Sequence, residues 1–175
     1  AGLIDYGKGN SRSLNAEALD RMDYFVNELK KRGIYVYFDL LDYRSFVPGD
    51  GVRDAAIMDT RWEDSVKGAS IFNRRIIELQ KEFATQLLTH RNPYTGLRYV
   101  EEPALLIQEI TNENSLFYLA NTKLILPSYT KELKGLWNQW LAKQFPTRAK
   151  LQAAWTSPDG FCALQATEDP AKGTV

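Results

Sequence analysis

The sequence has only one cysteine and one histidine in 175 residues. Cys162 by itself cannot form an internal disulfide or a cysteine-based zinc cluster. A histidine-rich metal site or a Ser-His-Asp triad would depend on His90 alone, which lies near the end of a helical pattern. At such a position a surface or capping role is the more common one. The sequence therefore predicts no metal site and no cofactor.

Net charge and long apolar runs are also lacking. Lys plus Arg and Asp plus Glu each number 22, so charge gives no sign of a nucleic-acid or anionic-membrane partner. No stretch approaches the roughly 20 apolar residues that a membrane span requires. The first residues, Ala1 to Asp5, include no initiating Met and do not resemble a signal peptide. We therefore expect a fragment or a processed chain.

The most informative stretch runs from Pro103 to Leu116. Its apolar run, residues 104–107, follows a proline and is short for a helix, so the pattern predicts a buried parallel strand. Because side chains alternate along a strand, Glu109 and Glu113 share one face. A carboxylate at the point where a buried strand opens into a loop is typical of catalytic sites in α/β proteins. Glu113 is therefore the candidate catalytic residue.

Helix and strand patterns alternate before this stretch. A helix is predicted over residues 15–32, a strand over 33–41 and a second helix over 73–89. Helix followed by buried strand is half of a βαβ repeat, so we expect a parallel sheet. Two strands cannot close a barrel and would leave bare edges. The alternatives are a small doubly wound sheet and a piece of a (β/α)8 barrel, which takes about 250 residues, and the second is favoured.

A long loop and a helical segment make up most of the remaining chain. Residues 42–70 form a loop whose length is typical of functional or disordered segments, and its aromatic residues argue against disorder. Two further helices are predicted, over residues 130–144 and 147–154. Trp137 and Trp140 belong to an apolar stripe in the first of these, which we interpret as packing.

The residues Glu109-Ile-Thr-Asn-Glu113 resemble the Glu-apolar-x-Asn-Glu signature on the fourth strand of clan A retaining glycoside hydrolases. The stretches 15–41 (ending LKKRGIYVYFDLL), 73–96 (ending LLTHRNPYTG) and 136–155 (LWNQWL…LQAAW) resemble other parts of that family. The resemblance implies the N-terminal half of a (β/α)8 TIM barrel, incomplete, covering about strands 3 and 4. Residues 1–175 would belong to one catalytic domain, with a helical insertion over 114–160 after the Glu113 strand.

The resemblance also implies roles for individual residues. Glu113 would be the general acid/base in retaining cleavage of a β-linked oligo- or polysaccharide, and Asn112 would bind the 2-hydroxyl of the sugar. Glu109 would support the interior. Tyr43, Phe46 and Trp62 are candidate sugar-stacking platforms, with loop anchoring as the equal alternative. The expected partners are a carbohydrate substrate and the remainder of the barrel, and the family favours a secreted or periplasmic location.

The sequence departs from the family pattern in its second carboxylate. A retaining enzyme needs a nucleophile about 5–5.5 Å from the acid/base, and Glu168 has no convincing buried strand before it. We therefore expect no turnover by these 175 residues alone. One alternative is a non-catalytic carbohydrate-binding or scaffolding barrel that lacks the nucleophile. Another is a different (β/α) enzyme in which Glu113 abstracts a proton or binds a metal.

Overall fold

A computed structural model of the protein describes residues 2–41, 44–57, 66–117 and 125–175. The chain divides into two compact units, Ala1–Ile125 and Leu126–Val175. The elements of the first unit are β1 (Ile4–Asp5), β2 (Ser13–Leu14), α1 (Ala16–Lys31), β3 (Val36–Asp39), α2 (Val66–Ala69), α3 (Arg74–Thr89) and β4 (Leu105–Glu109). The second unit contains α4 (Pro127–Gln144) and α5 (Arg148–Ala154).

The parallel pairing expected from the sequence is confirmed for β3 and β4. Val36 lies opposite Leu105, and Asp39 lies opposite Glu109. Backbone pairing continues beyond the strands, because the N–H of Asn112 donates to the carbonyl of Leu41 at 3.0 Å. The loop that follows β4 is therefore tied to the end of β3.

The prediction of a partial TIM barrel is wrong. Within the described residues, β3 and β4 pair only with each other, and β1 and β2 form a separate antiparallel pair. The fold is a small α/β arrangement. Periodicity along the chain reports the type of each element, whereas the number of strands in a sheet depends on partners distant in sequence. Two helix–strand units in succession therefore did not establish a barrel.

The helix boundaries in the first unit follow from capping residues. The side chain of Asn15 accepts a hydrogen bond from the N–H of Ala18 at 3.0 Å, and Asn73 caps α3 in the same way through Ile76. After α1 the chain turns at Gly33, whose φ of 69° lies in the left-handed region. Both helices predicted for this unit are therefore confirmed.

The core of the first unit lies between one face of the sheet and the two long helices. Its buried members are Leu19, Val26, Phe38, Leu87, Tyr99 and Leu105. The opposite face is open, since Tyr37 is 52% exposed and Ile107 is 49% exposed. The apolar strands were expected to be buried on both faces, but among the described elements helices cover only one face.

A buried polar network links α1 to the residues after α3. The carboxylate of Asp23 accepts a hydrogen bond from the Tyr99 hydroxyl at 2.6 Å and lies 2.7 Å from Nε2 of His90. His90 is also the C-cap of α3, the kind of role predicted for it. Burial, together with the bond to Asp23, raises the pKa of Tyr99, which keeps the phenol protonated as a donor.

Replacing Tyr99 with Phe is expected to lower the free energy of unfolding by about 1–3 kcal/mol, because a buried carboxylate loses a donor. The matched control is Tyr94→Phe, which removes an exposed hydroxyl bonded to Asp20. That variant should stay within about 0.5 kcal/mol of the wild type. Urea unfolding followed by circular dichroism measures both. Equal losses in the two variants would contradict a stabilising role for the buried bond.

The second unit packs its two helices around Leu141, Leu151 and Leu164. The tail returns to α4, because the side chain of Asn138 donates to the carbonyl of Val175 at 2.7 Å and accepts from its N–H at 3.1 Å. In the described part of the chain, no helix combines the length and the apolar character needed to cross a membrane.

The tryptophans of α4 lie at the surface of the second unit. Trp137 and Trp140 are 41% and 49% exposed, and their rings stack at 5.3 Å between centroids. Trp155 stacks on Trp137 at 6.3 Å. The interpretation of this stripe as packing therefore holds for the buried Leu141, whereas Trp137 and Trp140 are exposed; Trp155 packs against the Leu141 cluster.

Candidate functional site

The candidate site lies where β3 and β4 end. In open parallel sheets, ligands bind outside the carboxyl ends of the strands. Asp39 and Glu109 end the two strands side by side, and the loop of residues 110–114 follows β4 directly. Asn112 is half-buried and Glu113 is exposed. Both residues named from the sequence signature therefore lie at the edge of the sheet where chemistry is expected.

The backbone of Glu113 is strained. Its φ is 47°, in the left-handed region that a side chain with a Cβ rarely occupies. Among the described residues, the other non-glycine residue with positive φ is Asp54, a type whose short polar side chain tolerates this conformation. Glutamate has no such compensation. A conformation of this kind costs about 1–3 kcal/mol and persists only where the surroundings impose it.

The surroundings of Glu113 supply that restraint. On one side, the Asn112 carbonyl accepts a hydrogen bond from Nζ of Lys67 at 3.0 Å. On the other, Nδ2 of Asn114 donates to the Lys67 carbonyl at 2.8 Å and lies 2.9 Å from Oγ of Ser70. Both flanks of Glu113 are therefore bound to α2 or to the residue that follows it. Because α2 lies more than 40 residues earlier in the chain, the sequence around Glu113 does not predict this contact.

On the exposed face of the sheet, Tyr37 contacts Glu109, and Tyr37 was not singled out by the sequence reasoning, although Glu109 was. The Tyr37 hydroxyl donates to the carboxylate of Glu109, and this hydrogen bond is the main reason that the pKa of Tyr37 is raised to about 12. Glu109 is half-buried, and the supporting role that the resemblance implies for it stays a prediction. The sequence did carry a signal for Tyr37: it lies two positions before Asp39 in the β3 pattern, so both side chains share one face of the strand.

Removing the charge of Glu109 is expected to return the pKa of Tyr37 from about 12 toward its ordinary value near 10. In Glu109→Gln the amide no longer repels a phenolate and can donate a hydrogen bond to it. The titration is followed by NMR of the Tyr37 ring. Asp39→Asn is the control and should shift the pKa less, since Asp39 contributes the smallest part of the effect. A larger shift in the control would contradict the assignment.

The proposed aromatic platforms fall into two groups. Tyr43 and Trp62 lie outside the described residues. Phe46 is 2% exposed, and the guanidinium of Arg44 lies 5.1 Å from the centre of its ring. A buried ring of this kind anchors the loop, which is the other role that the sequence left open for it.

Arg44, like Tyr37, was not singled out by the sequence reasoning. Its guanidinium lies between the rings of Phe46 and Phe83 and donates to the carbonyls of Ser11 and Leu79, each at 2.8 Å. Burial lowers the pKa of Arg44. A buried cation bonded to two carbonyls fixes the start of the long loop to α3 and to the N-terminal strand pair.

Two cavities flank the end of β3. One, of about 250 Å³, is lined by residues including Asp39, Arg44 and Phe83. The other, of about 310 Å³, is lined by residues including Ser70 and Ile110, next to the Glu113 loop. Ligand pockets in proteins measure about 300–1,000 Å³, so the second cavity could hold part of a ligand.

Comparisons with known proteins add no assignment. A scan against protein-family models finds no match, and a search of curated proteins finds none either. Within the described residues, no group of three or more His, Cys, Asp or Glu side chains is arranged to hold a metal ion. The geometry around Glu113 and the sequence signature that ends there are therefore the two observations that bear on function.

Proposed function

We propose that this chain carries the general acid/base of a glycoside hydrolase that cleaves a β-linked oligo- or polysaccharide by the retaining double-displacement mechanism. The observation that carries the proposal is the strained, left-handed backbone of Glu113, which directs an exposed carboxylate from the end of β4. Strained non-glycine residues cluster at active sites. The resemblance of Glu109-Ile-Thr-Asn-Glu113 to the family signature gives this carboxylate its specific role.

In the first step, Glu113 protonates the glycosidic oxygen while the bond from that oxygen to the anomeric carbon breaks. A second carboxylate, for which no residue of this chain is assigned, forms a bond to the anomeric carbon. In the second step, the Glu113 carboxylate removes a proton from water while the water oxygen attacks the anomeric carbon, and the bond from that carbon to the second carboxylate breaks, which releases the sugar. Asn112 donates a hydrogen bond to the 2-hydroxyl, a contact that strengthens in the transition state.

The environment of Glu113 supports this assignment in two ways. Its side chain is exposed, so a glycosidic oxygen approaching from solvent can reach it. The cavity of about 310 Å³ beside the same loop has mostly apolar walls together with Ser70, Gln80 and Lys81. Such a combination suits a sugar ring, which has apolar faces and a rim of hydroxyl groups.

The proposal is tested by the stereochemistry of hydrolysis. The complete gene product is incubated with aryl β-glycosides of glucose, galactose, mannose and xylose, and the first-formed anomer is observed by proton NMR. Retention predicts the β-anomer first, whereas the α-anomer would contradict double displacement. The 175-residue chain is assayed in parallel and should show no turnover, because no nucleophile is assigned in it.

Two other outcomes would support the alternatives. Saccharide binding by the complete product without hydrolysis would favour a non-catalytic carbohydrate-binding or scaffolding protein. Activity that requires a divalent metal and is abolished by a chelator would favour a different enzyme, in which Glu113 abstracts a proton or binds the metal.

A further inference from the structure

We propose that Lys67 is a positioning residue for Glu113, holding the preceding peptide group so that the carboxylate stays in its working orientation. The conformational part of this inference stands on the geometry alone. Its kinetic part rests on the proposed function.

The first observation is the burial of the Lys67 side chain and the atom that it contacts. Lys67 is 5% exposed, and its Nζ donates to the Asn112 carbonyl at 3.0 Å. Lysine is rarely buried without a partner for its charge, because the ammonium loses its hydration. The carbonyl that the Lys67 ammonium contacts belongs to Asn112, the residue immediately before Glu113.

The second observation is that the backbone of Lys67 binds the other side of Glu113. The Lys67 carbonyl accepts from Nδ2 of Asn114 at 2.8 Å and from the hydroxyl of Ser70. Of the two ends of an asparagine side chain, only the amide nitrogen can donate to a carbonyl, so this contact fixes which end of the Asn114 side chain faces α2. One residue therefore binds the main chain before Glu113 and the side chain after it.

These contacts act on the torsion that is strained. The φ angle of Glu113 is the rotation that follows the peptide group of Asn112. Lys67 holds the carbonyl of that peptide group. The peptide group before it is held as well, because the N–H of Asn112 donates to the carbonyl of Leu41. If the ammonium is removed, the peptide can rotate, and relaxation of Glu113 to negative φ releases about 1–3 kcal/mol of strain. The carboxylate would then leave its position.

The kinetic test uses Lys67→Met in the complete gene product, since methionine keeps most of the length of the side chain and removes its charge. A displacement of about 1 Å can cost about 10²-fold in rate, so kcat on an aryl β-glycoside should fall by about that factor. KM should change little, and Lys67→Arg should restore part of kcat. Lys8→Met, at an exposed lysine, is the matched control and should behave as wild type.

The conformational test needs no catalysis. The three-bond HN–Hα coupling and the Cα and Cβ chemical shifts of Glu113 report the sign of its φ in the 175-residue protein. Positive φ is expected in the wild type and in Lys8→Met, and negative φ in Lys67→Met. Should Lys67→Met fail to fold, Asn114→Ala removes the other half of the restraint and should move the same signals.

The two tests separate the two hypotheses. A change of φ in a protein that hydrolyses no glycoside would support the positioning role and contradict the proposed function. Unchanged φ and unchanged kcat in Lys67→Met, with an active wild type, would overturn the positioning role and leave the proposed function standing. A rise in KM at constant kcat would also overturn it, because that change reports lost binding alone.

Discussion

Glu113→Gln in the complete gene product is expected to hydrolyse glycosides about 10²–10⁴-fold more slowly than the wild type. Glutamine keeps the shape of the side chain but can neither give a proton to the leaving oxygen nor take one from water. Saccharide binding should remain, since the amide still forms hydrogen bonds. Hydrolysis of aryl β-glycosides and calorimetric titration with oligosaccharides of the active series measure the two quantities separately.

The leaving group gives this prediction a second test. A dinitrophenyl group departs without protonation, so the first step should be much less affected with a dinitrophenyl glycoside than with a poorer leaving group. Glu168→Gln is the matched control, because the sequence offers no buried strand that would bring this carboxylate to the site. It should retain full activity. Full activity in Glu113→Gln would refute the assignment of the acid/base.

Leu87→Ala is expected to lower the free energy of unfolding by about 2–5 kcal/mol, the usual cost of truncating a buried leucine. Leu87 is 2% exposed and packs in the core beneath Phe38 and Leu105. The matched control is Leu106→Ala in β4, where the side chain is 62% exposed. This variant should change stability by no more than about 0.5 kcal/mol.

Urea unfolding of the 175-residue protein, followed by circular dichroism, measures both leucine variants. A loss in Leu106→Ala as large as that in Leu87→Ala would mean that the Leu106 side chain is covered in solution. Such a result would contradict its exposed position in the structure. The pair is informative because both residues lie in apolar stretches that look alike in the sequence.

The helices were predictable because their signals are local. Asn15 and Asn73 cap α1 and α3, and both caps were visible as a polar residue immediately before an apolar periodic pattern. The parallel pairing of β3 and β4 was also predictable, since a helix with its flanking turns separates the strands. The helix caps depend on residues within one turn of one another, whereas the parallel pairing follows from the length of chain that joins the two strands.

The number of strands in the sheet was not predictable from local signals, and the prediction of a partial barrel is wrong. A buried strand and a strand covered on one face can have the same apolar run, as residues 104–107 show. Exposure of Leu106 and Ile107 depends on which elements lie against them. That arrangement is a property of the assembled chain.

The site was found from the sequence only in part. Glu113 and Asn112 were named from a five-residue signature, and they lie at the carboxyl end of β4. The restraints on them were not visible, because Lys67 lies 45 positions before Asn112 in the chain. Buried cations that donate to carbonyls leave no pattern in a sequence, since the carbonyl belongs to every residue type.

By itself, the sequence determined the long helices α1 and α3, the strands β3 and β4 and which carboxylate follows β4, because periodicity, caps and turn residues act over a few positions. It did not predict β1 and β2, and α2 lies within residues 42–70, which were predicted to be a loop. Only the tertiary structure decided that, in the part of the chain that is described, the parallel sheet has two strands with one exposed face and that Glu113 adopts a left-handed backbone. Strain in one residue requires compensating contacts from elsewhere in the fold, and here α2 provides them across more than 40 residues.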